Sequence, residues 1–268
     1  MRIWSRLRSL RKNSEEGSIR SQEPPPTIAD WVSAVPQLKG WTENICHPDF
    51  DPVNSKSSRP IGPNLMEFDT LLHPEFLSLL TREVSDFIDW QNQTDARIEP
   101  PNSMHYGGFT LDQLGLGPTM DAIAREILSP LASHLFPERG FKALTEAHAF
   151  VVEYGGYGDQ NLDFHVDDSE LTLTLCLGEK FTGSDIYFSG IRCPEHRQEP
   201  ESQGDRIIYS PCQGRGLVHL GSHRHGVLPI ESGHRISLIV WAKDPEQNED
   251  RAFGDGRCPD WCESPSSP

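Results

Sequence analysis

No stretch of this 268-residue sequence approaches the roughly 18 to 20 consecutive apolar residues that a helix needs to cross a bilayer. Basic charge is in deficit, with 24 Lys and Arg against 40 Asp and Glu, a formal net charge of −16. A phosphate backbone is neutralised by Lys and Arg, so this balance argues against nucleic-acid binding, and it suits docking on anionic lipid no better. Cysteine is sparse. The six thiols (Cys46, Cys176, Cys193, Cys212, Cys258 and Cys262) are too few for a dense secreted disulfide framework in a chain of this length. The Cys258–Cys262 pair has C-x3-C spacing, outside that of a zinc-ribbon knuckle, and reads as free thiols. A reducing compartment, the cytoplasm, is the expectation. Apolar residues reach only 35%, diluted by 22 Gly and 22 Pro, which fits one globular domain carrying polar, irregular segments.

What is present falls into four stretches. Residues 1–26 begin with Arg2, Arg6, Arg8, Arg11 and Lys12 before the first acid, Glu15, and close on Pro24-Pro25-Pro26; they read as a disordered basic leader. Their Arg- and Ser-rich composition also suits a transit peptide. Residues 27–65 hold a few hydrophobic anchors (Trp31, Val35, Leu38, Trp41) and then a Pro- and Ser-rich run, and read as a loosely structured extension. Residues 66–242 form the expected domain, and 243–268 an acidic, mobile tail.

Within the domain, Phe76, Leu80, Val84, Phe87 and Ile88 recur at helical spacing after Pro74, which predicts a helix over about 75–92. Met120, Ile123, Ile127, Leu131 and Leu135 predict a second over 118–135, with Pro130 placed to kink it. From residue 147 the pattern becomes short β-rich runs, at 147–154, 170–177, 184–190, 214–220 and 234–242. Helices upstream and strands downstream imply an α+β, mainly β fold, an antiparallel sandwich or barrel over 147–242 backed by helices.

The chemistry concentrates in FHVDD. Residues i and i+2 of an extended chain share a side, so His165 and Asp167 can converge on one ion. Alone, an H-x-D pair is a chance occurrence and an ordinary polar loop. A second cluster, HLGSHRHG, offers His219, His223 and His225 as a third ligand. Two His and one carboxylate occupy one face of an octahedral iron and leave three positions open for O2 and a co-substrate. The discriminator is a cation for the far carboxylate of a chelating keto acid. Arg235 follows His225 by ten residues, with Ser237 on the same strand face, whereas the same interval from His223 lands on Gly233. His225 is therefore preferred, with His223 in reserve. His219, His223 and His234 otherwise read as structural or solvated, and Asp168 as a solvated neighbour on the opposite face.

These spacings resemble the 2-oxoglutarate/Fe(II) dioxygenase superfamily. The run AFVVEYGGYGDQNLDFHVDDSELTLTLCLGEKFTGSDIYFSG is most similar to its prolyl 4-hydroxylase and procollagen-lysyl-hydroxylase-like branch. PNSMHYGG, SPLASHLFPE and RCPDWC resemble small 2-oxoglutarate and iron-dependent oxygenase domain-containing proteins. The resemblance implies a double-stranded β-helix, or jelly roll. It implies iron ligands His165, Asp167 and His225, and Arg235, Tyr154 and Ser237 around 2-oxoglutarate. It also implies Fe(II), O2 and 2-oxoglutarate as cofactor and co-substrates, L-ascorbate as reductant, and a peptidyl Pro or Lys side chain as substrate. Two departures bear on the substrate: His105 stands where an amide is expected, and the insert after Gly190 is long and charged. The rivals are a zinc or manganese enzyme on a cupin-like barrel, which has no need of Arg235, and an inactive binding module, which has no reason to keep five chemical positions.

Overall fold

The computed structural model describes residues 45–246 and Cys262, apart from 52–57, 70, 95–97, 99, 103, 157, 179, 194, 197–198, 202–203 and 205. The expected leader, the first part of the 27–65 extension and most of the expected tail lie outside the described residues.

Two antiparallel sheets face each other. The larger has the order β1 (Ser58–Gly62), β2 (Leu65–Phe68), β10 (Gly216–Leu220), β6 (Leu171–Cys176), β12 (Ile230–Lys243), β4 (Glu146–Gly155) and β3 (Phe109–Thr110). The first residues of β12 also pair with β7 (Phe181–Gly183). The smaller sheet is β5 (Leu162–His165), β11 (His223–Val227), β8 (Ile186–Ile191) and β9 (Ile207–Tyr209). The result is a jelly-roll core with helices packed outside the larger sheet, the α+β, mainly β architecture anticipated from the sequence.

Alternation along the strands decides what enters the space between the sheets. In β6 (LTLTLC), Leu171, Leu173 and Leu175 join the helix-facing core, while Thr172, Thr174 and Cys176 turn inward. In β12, Leu238, Val240 and Ala242 face the helices, so Arg235, Ser237, Ile239 and Trp241 face the other way. In β4, Ala149 and Val151 pack under the helices, and Phe150, Val152 and Tyr154 under the small sheet. Period-2 geometry thus delivers Tyr154, Thr172, Arg235 and Ser237 to one interior.

The outer layer begins with α1 (Pro74–Thr94), which buries Phe76, Leu80, Val84 and Phe87 along one stripe. The second helical region is α2 (Gly117–Ile123), a single π-turn (Ala124–Leu128) and α3 (Ser129–Leu135). Pro130 lacks the N–H that an α-helix would send to the Glu126 carbonyl, and its ring crowds that oxygen. The chain widens, and the Ser129 N–H reaches back to Ala124. The kink expected at Pro130 is this π-bulge.

Several strands were not expected. β1 and β2 form a hairpin on the edge of the large sheet, so the boundary expected at residue 65 falls inside it. β5 (LDFH) and β11 (HRHGV) are short and polar, because their side chains furnish a site rather than a core.

Candidate metal centre

β5 and β11 lie side by side with His165 and His225 as direct register partners. Their rings approach to 4.3 Å between centroids. Asp167 lies just beyond β5 and is held there by its N–H donating to the Gly221 carbonyl (2.9 Å). Its Oδ1 is 3.6 Å from His165 Nε2 and 3.7 Å from His225 Nε2. The ligand atoms of these three residues all lie within 4.8 Å of one another. Asp167 and His225 are buried and His165 is half-buried, so the trio opens on the His165 side.

The donor set fits a divalent transition metal. The Nδ1–H of His165 donates to the Asp163 carbonyl (2.7 Å) and that of His225 to the His223 carbonyl (2.8 Å). Each bond fixes the tautomer and leaves the Nε2 lone pair for an ion. Burial, with repulsion from His225, lowers the His165 imidazole to about 4, so it is neutral and competent as a ligand at neutral pH. Asp167 is oriented from behind. Thr172 Oγ1 donates to Oδ2 at 2.7 Å, and Ser169 Oγ lies 2.8 Å from Thr172 Oγ1. Neither residue was singled out from sequence, although Thr alternating with Leu in β6 marks an inward polar face.

The three downstream histidines divide cleanly. His223 is buried with its Nε2 accepting the Gly190 N–H (3.1 Å), so that nitrogen is turned away from the trio. His219 is buried against Asp167 Oδ2 (3.9 Å) with Nδ1 on the Leu220 carbonyl (2.9 Å). His225 alone joins His165 and Asp167.

Arg235 is 1% exposed on β12, opposite Tyr154 of β4. Its Nε donates to Ser237 Oγ (3.1 Å), its Nη1 donates to the carbonyl and hydroxyl oxygens of Ser184, and its guanidinium carbon lies 4.7 Å over the Tyr154 ring. No carboxylate among the described residues lies at ion-pair distance from it. Burial lowers its pKa below the ordinary arginine value, yet a guanidinium remains charged inside a protein. A buried cation without an anion is costly, and the natural relief is a carboxylate brought by a ligand. Burial raises the Tyr154 phenol to about 12, with Arg235 opposing and both Asp159 and Asp167 adding to the rise. Tyr154 therefore lies in the field of both the cation and the Asp167 carboxylate. Ser184 adopts φ 59° in a turn and is buried; nothing in the sequence marks it.

Comparison with known proteins gives the family. Residues 53–141 match the OGFOD2-like domain family. The Arabidopsis thaliana 2-oxoglutarate and iron-dependent oxygenase domain-containing protein CP2 is 35% identical over 218 residues, covering 81% of this chain and 54% of the relative. The Homo sapiens 2-oxoglutarate and iron-dependent oxygenase domain-containing protein 2 is 31% identical over 198 residues, covering 68% and 55%. The chain belongs to the 2-oxoglutarate/Fe(II) oxygenase superfamily. It spans about half the length of these curated relatives (54% and 55%). In fold it is similar to AviO1 of Streptomyces viridochromogenes Tue57, with a TM-score of 0.50 at 16% identity over 69% of this chain and 91% of that one.

Within this oxygenase fold the remaining positions of interest are peripheral. Asp168 is exposed and pairs with Lys243 Nζ at 2.6 Å. His234 points outward to Glu153 Oε2 (3.1 Å). Phe188 is buried and stacks on His225, while Tyr187 stacks on Phe164 under Arg206. His105 and Tyr106 are exposed, and both backbone N–H groups bond Asp159 Oδ2. Ser237, expected beside the co-substrate, accepts the Nε–H of Arg235 through its Oγ and so braces the guanidinium.

Proposed function

We propose that this chain is an Fe(II)- and 2-oxoglutarate-dependent hydroxylase, with His165, Asp167 and His225 as iron ligands and Arg235 as the anchor of the 2-oxoglutarate carboxylate. The observation that supports the reading is one interior holding both a His-Asp-His trio and a buried arginine with no carboxylate at ion-pair distance among the described residues. Iron held there would supply the redox chemistry that couples keto-acid decarboxylation to C–H hydroxylation. One oxygen atom of O2 enters the substrate, the other enters succinate, and CO2 leaves.

The chain's own residues do the rest. His165 and His225 would hold the iron through Nε2 atoms whose tautomers their Nδ1–H bonds fix, and Thr172 would hold Asp167 in place beside them. Arg235, braced by Ser184 and Ser237, binds the distal carboxylate and sets the keto acid's direction, with Tyr154 as the wall beneath it. L-ascorbate serves as reductant, and the substrate is a peptidyl Pro or Lys side chain; both rest on the resemblance of residues 149–190 to the prolyl and lysyl hydroxylase branch. A zinc or manganese enzyme on the same barrel leaves the buried Arg235 without purpose.

The test is succinate formation from 2-oxoglutarate by purified protein, with and without Fe(II), alongside mass spectrometry of Pro- and Lys-containing peptides for a one-oxygen gain. Iron-dependent succinate that disappears in His165→Ala, Asp167→Ala and His225→Ala is expected. Activity surviving in His225→Ala but lost in His223→Ala would overturn the ligand assignment. Absence of iron-dependent turnover would overturn the enzyme reading itself.

A further inference from the structure

A second cluster of metal-ligating groups lies outside the iron trio and shares no residue with it. Cys193 and His196 follow β8 in a tight turn, closed by the His196 N–H on the Cys193 carbonyl (3.0 Å), which brings both side chains to one side. Cys262 arrives from 69 residues downstream. The three ligand atoms converge: Cys193 Sγ is 3.2 Å from His196 Nδ1 and 3.8 Å from Cys262 Sγ, and Cys262 Sγ is 3.7 Å from His196 Nδ1. Cys193 is buried and the other two are half-buried.

Two of these separations, 3.8 Å and 3.7 Å, match the edges of a coordination tetrahedron, and the 3.2 Å contact would open by a few tenths of an ångström on binding. With metal–sulfur bonds of about 2.3 Å and a metal–nitrogen bond of about 2.0–2.1 Å, tetrahedral zinc places sulfurs roughly 3.8 Å apart and sulfur and nitrogen roughly 3.6 Å apart. A disulfide would need the sulfurs at about 2.05 Å, far shorter than the 3.8 Å found. Burial alone would raise the Cys193 thiol, but the His196 and Glu195 N–H groups, the His196 ring and Cys262 together bring it below the ordinary thiol value.

We propose that Cys193, His196 and Cys262 supply three ligands of a Zn(II) ion, with water or a further side chain in the fourth position, and that this ion clips Cys262 to the turn after β8. Two soft thiolates and an imidazole select zinc, whereas the imidazole–carboxylate trio suits iron, so the chain sorts two metals by ligand type. Each thiol gives up its proton on binding. β8 pairs Ile191 with His223 and Phe188 with His225, so the clip anchors the strand that flanks the candidate iron ligand. On this proposal Cys262 is a metal ligand rather than the free thiol its spacing suggests, because its partners lie in a different segment.

Metal analysis of the full chain, purified reduced and without chelator, tests this. About one zinc per chain is expected in the wild type, in His225→Ala and in the exposed-thiol control Cys212→Ser. Cys193→Ser and Cys262→Ser should each weaken zinc by more than the roughly 10- to 100-fold that loss of an outer-shell partner costs. Because a variant can simply misfold, the wild type is also titrated with Co(II): a thiolate-to-cobalt absorption band, unattainable at the His-Asp-His trio, is expected. Zinc that survives Cys262→Ser but vanishes in His225→Ala would place the metal in the oxygenase site and overturn the proposal. So would a Cys193–Cys262 disulfide, found by peptide mapping, in protein purified without reductant, or a cobalt spectrum without the thiolate band.

Discussion

A buried charge with no ion-pair partner among the described residues is the most informative single feature of this chain. Arg235 sits 1% exposed, held by two serines and an aromatic face, none of which is an anion. Losing a charge-assisted contact to a buried guanidinium typically costs about 2–5 kcal/mol, or roughly 30- to several-thousand-fold in affinity. Arg235→Ala should therefore raise the KM for 2-oxoglutarate by that order while Fe(II) binding, measured by titration, stays nearly intact. Arg235→Lys should recover only part, since an ammonium keeps the charge and loses the fork. His234→Ala, whose ring points to Glu153 on the outside, should change neither. Equal 2-oxoglutarate dependence in wild type and Arg235→Ala would remove the co-substrate assignment. Thr172 offers a second test at this scale. Its hydroxyl donates to Asp167 Oδ2 at 2.7 Å, so Thr172→Val, which preserves shape, should weaken Fe(II) by about 10- to 100-fold with little change in folding.

The elements explain both what the sequence made legible and what it hid. His165 and Asp167 were readable because extended chain puts alternate residues on one side, and Arg235 and Ser237 because the same rule runs along β12. The helix stripes of α1 and of 117–135 were readable from their 3.6 periodicity. Ser184 was not, since its contact with Arg235 crosses 51 residues and depends on a turn with φ 59°. β5 and β11 were hidden for the opposite reason: a strand built to carry ligands lacks the apolar alternation that identifies strands. The His223–Gly226 run also acquires a steric reason. A Cβ on Gly226 would lie 2.3 Å from the Tyr187 hydroxyl and 2.8 Å from the Leu162 carbonyl, prising β11 from β5. Gly221, in the turn between β10 and β11, is tighter against rigid backbone. The Ser169 carbonyl already fills the space a methyl would need there, and Gly221's own carbonyl holds the Asp167 N–H. Gly221→Ala should displace the Asp167 loop, at a cost of about 1–3 kcal/mol in urea unfolding and a loss of Fe(II) affinity. Unchanged stability and iron binding in this variant would contradict the close approach.

For the whole molecule, the consequence of the site is that the jelly roll encloses imidazoles between its two sheets. Burial, reinforced by the repulsion of neighbouring imidazoles, lowers His165 and His219 to about 4 and His223 to about 2, from an ordinary 6.5. In the folded, metal-free protein these rings stay neutral where the unfolded chain would protonate them. The unfolded state then binds more protons below pH 6.5, so unfolding free energy is flat above about pH 7 and declines as pH falls toward 4. Each pKa unit corresponds to about 1.36 kcal/mol, discounted for His165, whose side chain is 27% exposed. Between pH 7 and pH 5 the three rings together should remove on the order of a few kcal/mol, a large share of the roughly 5–15 kcal/mol that stabilises a domain. The measurement is the urea midpoint of chelator-treated protein at pH 7, 6 and 5, which should fall steadily while the unfolding slope stays constant. His219→Gln, which removes one titrating ring and retains a polar side chain near Asp167, should flatten that fall by about a third. A midpoint that does not move with pH in this window would mean that the folded core does not hold its histidines neutral, and the same observation would remove the electrostatic reason for expecting His165 to be ready for a metal at neutral pH.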